Sequence, residues 1–240
     1  MKPILVEYRF GCFGNEDYSS IEYRERIQFI VEKFFGTNNY QKEAMYPFNP
    51  ESLATHKDRI NMIIQQNFIE VCFYRKNNDN VEFDRDSLIN KSKKFFTDIS
   101  NLNDKKFTRL AFNASFCYDK LDENQISKIC KKMANNFDYL DGEDYINEEW
   151  YTRRCDVKVI KLNEIEENIN NIVMVNRTRL AQTRKPVIFF SFDINTTHLN
   201  MLERFSAAEI DDFIDYAKVI IENIEKNLTD KIGKILDDKQ

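Results

Sequence analysis

Apolar residues recur with two different periods along this chain, and the switches between them mark its elements. Over residues 3–10 they alternate, with Ile4, Val6, Tyr8 and Phe10 on one face of a strand that Gly11 and Gly14 then break. Over residues 20–35 the period is helical: Ile27, Ile30, Val31, Phe34 and Phe35 form one stripe behind a Ser19/Glu22 capping box. A looser stretch, MYPFNPESL with Pro47 and Pro50, is the candidate binding loop. Strand-like residues return from Ile60 to Tyr74, as a hairpin broken near Gln65-Gln66-Asn67, and the polar run RKNNDN is a turn. A helix over 85–99 presents Leu88, Ile89, Ser92, Phe95, Phe96 and Ile99 to the core. A strand at about 107–118 places Leu110, Phe112, Ala114 and Phe116 on one face. Asp122 and Gln125 cap a further helix, whose inward set is Ile126, Ile129, Cys130, Met133 and Phe137. After the acidic loop DGEDYINEEW come strands at 155–162, 172–180 and 186–194, the last two joined by AQTRKP, which is short enough for a hairpin.

The pattern ends in its longest element. Ser206 and Glu209 form a capping box, and Ile210, Phe213, Ile214, Ala217, Ile220, Ile221, Ile224, Leu228 and Ile232 keep one face apolar to about residue 236. At ~1.5 Å per residue this helix spans roughly 45 Å. The fold class expected is therefore α+β: a largely antiparallel sheet of five or six strands, with helices packed on it and a long C-terminal helix. Residues 1–240 read as a single domain, with 1–104 and 105–240 as the natural sub-lobes. So long a helix overhangs a sheet of that width, and its far end still carries Leu228, Ile232, Ile235 and Leu236. The expectation is a homodimer formed through this helix or an edge strand. The competing arrangement is a monomer in which the helix bends back over residues 20–35.

Composition narrows the function more than the fold. Twenty Phe and eleven Tyr in 240 residues exclude a disordered chain. A net charge of -5 argues against nucleic acid or an anionic membrane surface as partner. No apolar run is long enough to span a membrane. Glu7 and Arg9 stand where a signal peptide would be apolar, so a cytoplasmic location is expected. The five cysteines (Cys12, Cys72, Cys117, Cys130 and Cys155) are odd in number and lack a C-x-x-C pair, which points to reduced, mostly buried thiols. With only five glycines there is no G-x-G-x-x-G, no phosphate-cradling G-K-[ST] loop and no G-x-S-x-G elbow. No cofactor is expected. With His56 and His198 as the only histidines, no metal centre is expected either.

Three constellations carry candidate chemistry. Arg177, Arg179, Arg184 and Lys185 gather around one hairpin and could present a basic patch to a phosphate or an acidic partner. Trp150, between a dense acidic loop and Arg153-Arg154, is either a contact hot spot or a core residue. Asp156 and Lys158 on a strand, with Asp141 and Asp144 upstream, loosely resemble the D…(D/E)-x-K pattern of Mg²⁺-dependent nucleases, in which Asp144 and Asp156 would hold the metal and Lys158 would orient the attacking water or steady the phosphate. Asp193-Ile194-Asn195 begins like a calcium loop, but His198 and Arg204 stand where glycine and glutamate are required.

The order of parts resembles an uncharacterised, sporadically distributed bacterial protein family of about this size. The resemblance rests on the N-terminal strand Pro3-Ile4-Leu5-Val6-Glu7, on the Arg-led strand Arg109-Leu110-Ala111-Phe112-Asn113, and on the closing FFSFDINTTHLNMLERFSAAEIDDF, a strand ending in Asp followed by a long helix. It implies an intracellular bacterial protein encoded among mobile defence or conflict genes, and it brings no catalytic residues with it. The function expected is a cytoplasmic binding or regulatory protein, not an enzyme, that acts through contacts with an unidentified protein partner. The alternative is the Mg²⁺-dependent nuclease.

Overall fold

The computed structural model describes residues 3–18, 20–35, 40–44, 51–55, 60–75, 84–102, 106–133, 150–180 and 184–238. Its elements run β1 (Ile4–Phe13), α1 (Ile21–Phe35), β2 (Tyr40–Ala44), β3 (Glu51–Thr55), β4 (Ile60–Ile64), β5 (Phe68–Tyr74), α2 (Arg85–Leu102), β6 (Arg109–Tyr118), α3 (Glu123–Met133), β7 (Trp150–Leu162), β8 (Ile165–Arg179), β9 (Pro186–Thr196) and α4 (Ala207–Asp237). The strands form one antiparallel sheet in the order β2-β3-β4-β5-β1-β6-β9-β8-β7. The class is α+β, as the sequence pattern predicts, but among the described residues the sheet has nine strands rather than five or six. Part of the difference lies around MYPFNPESL, where β2 and β3 pair and residues 45–50 fall outside the described set. The Asn-rich run 165–171 adds no strand but lengthens β8, where pairing with β7 throughout and with β9 from Ile169 overrides asparagine's poor strand propensity.

Strand alternation sorts the two faces of the sheet. On the helix-covered face Tyr8, Phe10, Phe112, Phe116, Tyr118, Phe190 and Phe192 pack edge-on or tilted against one another and against α2 and α4. The Phe10 ring centroid sits 4.7 Å from Phe96 and 6.1 Å from Phe213. In the helical layer α1 lies beside α2, α2 beside α4 and α4 beside α3. The ion pairs Arg85–Glu225 at 2.6 Å and Lys93–Asp215 at 2.6 Å set α2 antiparallel to α4. Buried residues from all four helices join one core cluster that draws on both halves of the chain.

The terminal helix is unbroken from 207 to 237, and its capping box is present, with the Ser206 N–H donating to Glu209 at 2.8 Å. Its far end does not overhang. Ile232 and Ile235 are buried, Leu228 and Leu236 pack on the core, Tyr118 Oη donates to Thr229 Oγ1 at 3.0 Å, and α3 lies alongside with Lys128 donating to the Asp238 carbonyl. The wider sheet and α3 cover the far end that motivated association through the helix, and it is α2, not α1, that flanks the helix. Cys12, Cys72, Cys117 and Cys130 are buried and free, while Cys155 is exposed. Burial raises all four buried thiols, Cys117 and Cys130 to about 11, so they are inert.

Candidate functional site: an apolar loop and a free strand edge

Between β9 and α4 the chain makes a loop whose side chains point the wrong way for a core. Leu199, Met201 and Leu202 are 82%, 62% and 73% exposed. The backbone beneath them is tied down. Arg204 Nη1 donates to the carbonyls of Asn200 at 2.9 Å, Leu202 at 3.0 Å and Thr108, while its Nε pairs with Glu167 at 2.6 Å. The guanidinium also lies 4.3 Å from the Phe205 ring centroid. Asn15 Nδ2 donates to the Met201 carbonyl at 3.3 Å, and the Leu202 N–H donates to Asn200 Oδ1 at 3.1 Å. Glu167 is buried and the Arg204 side chain is only 10% exposed, so removing Arg204 would leave a buried carboxylate without its partner, at about 3–5 kcal/mol. A loop held this firmly presents three large apolar side chains in a fixed arrangement. Glu16 and Glu203 flank it and both act on the Tyr18 phenol, whose pKa is raised chiefly by burial.

The second exposed element is β7, the last strand of the sheet. Every residue from Tyr151 to Val159 is exposed, including Tyr151, Val157 and Val159 at 59–61% on the face away from the helices. A two-residue turn at Asn163-Glu164, with Asn163 at φ 50°, joins it to β8. That turn is anchored on α4, since Asn163 donates from its N–H to Asp212 at 2.6 Å and from Nδ2 to Glu209 at 2.8 Å. Hydrogen bonds from Ser206 and Asn163 outweigh the effect of burial and hold the Glu209 carboxyl below its usual range.

The centre of the face away from the helices is polar. Arg9 Nε lies 2.8 Å from Glu7 and 3.8 Å from Glu70, and its Nη1 donates to Tyr74 Oη at 3.3 Å. Ser115 Oγ lies 3.3 Å from Glu7 and 3.4 Å from Ser191 Oγ. Further along, Asn170 donates to Asn195 at 3.0 Å and Asn195 to Asp193 at 2.9 Å. Burial pushes Glu70 up to about 7 against the pull of Arg9, with Glu7 adding to the rise. The charges of this network are largely spent on one another.

The sequence-predicted residues fare unevenly. Arg177 leaves the basic group: its side chain is 1% exposed and pairs with Glu123 of α3, on the helix side of β8. Arg179, Arg184 and Lys185 do meet at the hairpin, but Arg179 donates to the Arg184 carbonyl at 3.0 Å and Lys185 to the Asp119 carbonyl. Trp150 is half-buried against the core, opposite Arg177 in the β7–β8 ladder. Asp144 lies outside the described residues. Asp156 and Lys158 do share a face, but Asp156 pairs with Arg154 at 2.8 Å and Lys158 Nζ sits 5.9 Å from the Tyr216 ring centroid. Among the described residues no group of three His, Cys, Asp or Glu is placed to hold a metal ion. Leu199, Met201 and Leu202 were missed, although three large apolar residues in an aperiodic loop were a readable signal. No protein-family model and no curated protein matches the chain.

Proposed function

We propose that the chain is a non-catalytic binding protein that acts through protein–protein contact, with the 199–202 loop as its docking element. The observation that carries this reading is the rigid presentation of Leu199, Met201 and Leu202 to solvent. Natural surfaces rarely immobilise adjacent large apolar side chains outside a contact. The acidic flank of Glu16 and Glu203 and the net charge of -5 favour an apolar groove on a protein with a basic rim over an anionic bilayer. Among the described residues no helix is long and apolar enough to cross a membrane. A reducing, bacterial setting among defence or conflict genes belongs to the same proposal. It is supported by the unpaired buried cysteines and by the resemblance of the opening and closing motifs. Placing a photo-crosslinking amino acid at Leu199, with exposed Lys226 on α4 as control position, tests the reading in native host cells. Adducts to another protein at 199 and not at 226 support it. Equal labelling at the two positions, or labelling of lipid at 199, overturns it.

A further inference from the structure

A two-residue hairpin turns the N–H and C=O groups of its closing pair, Leu162 and Ile165, toward each other, and the ladder alternates from there. The groups of Tyr151, Arg153, Cys155, Val157 and Val159 therefore point outward along the free edge. Among the described residues no strand meets them. Long exposed edges are usually shortened, bulged, broken by proline or studded with charge, and of these devices β7 carries only charge, of both signs. β7 is 13 residues long and pairs with β8 without a register shift.

We propose that this edge pairs antiparallel with β7 of a second copy of the chain, centred on Cys155, so that Arg154 of each copy faces the partner's Asp156. The inference goes beyond the loop-contact reading and uses a different surface. Residues directly opposite in an antiparallel pair share a face, which makes the register testable against charge. Centred on Cys155, Arg154 meets Asp156 twice, Tyr151 meets Val159 twice, Trp150 meets Ile160 twice, and no like charges oppose. Sliding the copies by two residues one way sets Arg154 against Arg154; the other way sets Asp156 against Asp156 and Arg154 against Lys158. A further two residues sets Arg153 against Arg153 or against Lys161. The centred register is thus the one in which 150–160 all pair without like-charge opposition. The five outward-facing residues of each copy would then make ~10 backbone hydrogen bonds. Arg154 and Asp156 already lie together on one face of β7, 2.8 Å apart within the chain, ready to form a four-charge cluster across the two-fold axis.

Sedimentation equilibrium on the full chain at micromolar concentration tests this, with circular dichroism confirming that each variant folds. Wild type is expected at twice the 28.7 kDa chain mass. Val157→Pro, which removes an outward N–H and leaves the β8 ladder intact, is expected at the single-chain mass. Arg154→Asp and Asp156→Arg should each weaken the dimer roughly 10- to 100-fold, and the Arg154→Asp/Asp156→Arg double variant should recover it. A wild-type single-chain mass overturns the pairing and leaves the crosslink at 199 untouched. A dimer indifferent to Val157→Pro places the interface elsewhere. A double variant as weak as the single ones refutes the register.

Discussion

On the inner strand β6, residues one position apart lead to opposite fates. Phe112, Ala114 and Phe116 face the helices and are packed among Phe10, Phe192 and the α2 and α4 side chains, while Asn113 and Ser115 face away, Ser115 lying 3.3 Å from Glu7 and 3.4 Å from Ser191. The first face gains its stability from apolar area removed from water. The second is made of groups that burial penalises and that are held mainly by one another. The difference teaches how each face is held: one by apolar area removed from water, the other by polar pairs.

The largest effect should come from the helix-covered face. Phe96→Ala removes a fully buried ring that touches Phe10, Phe95 and Phe107, and should cost about 3–5 kcal/mol in urea unfolding. A loss below about 1 kcal/mol would mean that this core is not the stabilising layer.

How much of this could be read beforehand follows the same division. The helix-facing residues were legible because a buried stripe repeats: Leu88 through Ile99 on α2 and Leu110 through Phe116 on β6 occupy the faces that periodicity assigns them. The capping residues Asp122, Gln125, Ser206 and Glu209 were legible because they act over three residues. The polar face was not legible. Glu7, Arg9, Glu70 and Ser115 come from three strands up to 108 residues apart, and no local pattern brings them together. Arg177 was misplaced for the same reason, since its partner Glu123 is 54 residues away on α3. The reach of α4 was misjudged because sheet width is a property of pairing, which sequence spacing does not contain.

The polar face should reveal itself through pH, with the opposite sign to the core variant. Glu70 has a pKa of about 7 in the folded chain against 4.5 when exposed. Between those values the native state holds a proton that the unfolded chain releases. Its contribution is therefore full below pH 4.5 and is lost as pH rises through about 7. Glu70→Gln removes that loss. The variant should match wild type near pH 4.5 and exceed it by on the order of 2–3 kcal/mol at pH 8. A variant less stable than wild type at pH 8 would show that the ionised carboxylate, not the neutral acid, is what the Arg9 network is built around.

The smallest effect on stability, and the most direct test of the central claim, belongs to the loop. Leu199→Asp/Met201→Asp/Leu202→Asp changes three exposed side chains and leaves Arg204 and its carbonyl contacts in place. Unfolding free energy and capture of the crosslinked partner should be measured on the same preparation, with a photo-reactive residue at His198. The account predicts a stability change within about 0.5 kcal/mol together with loss of the adduct. An adduct that survives the triple substitution, or a stability loss of several kcal/mol, would contradict it.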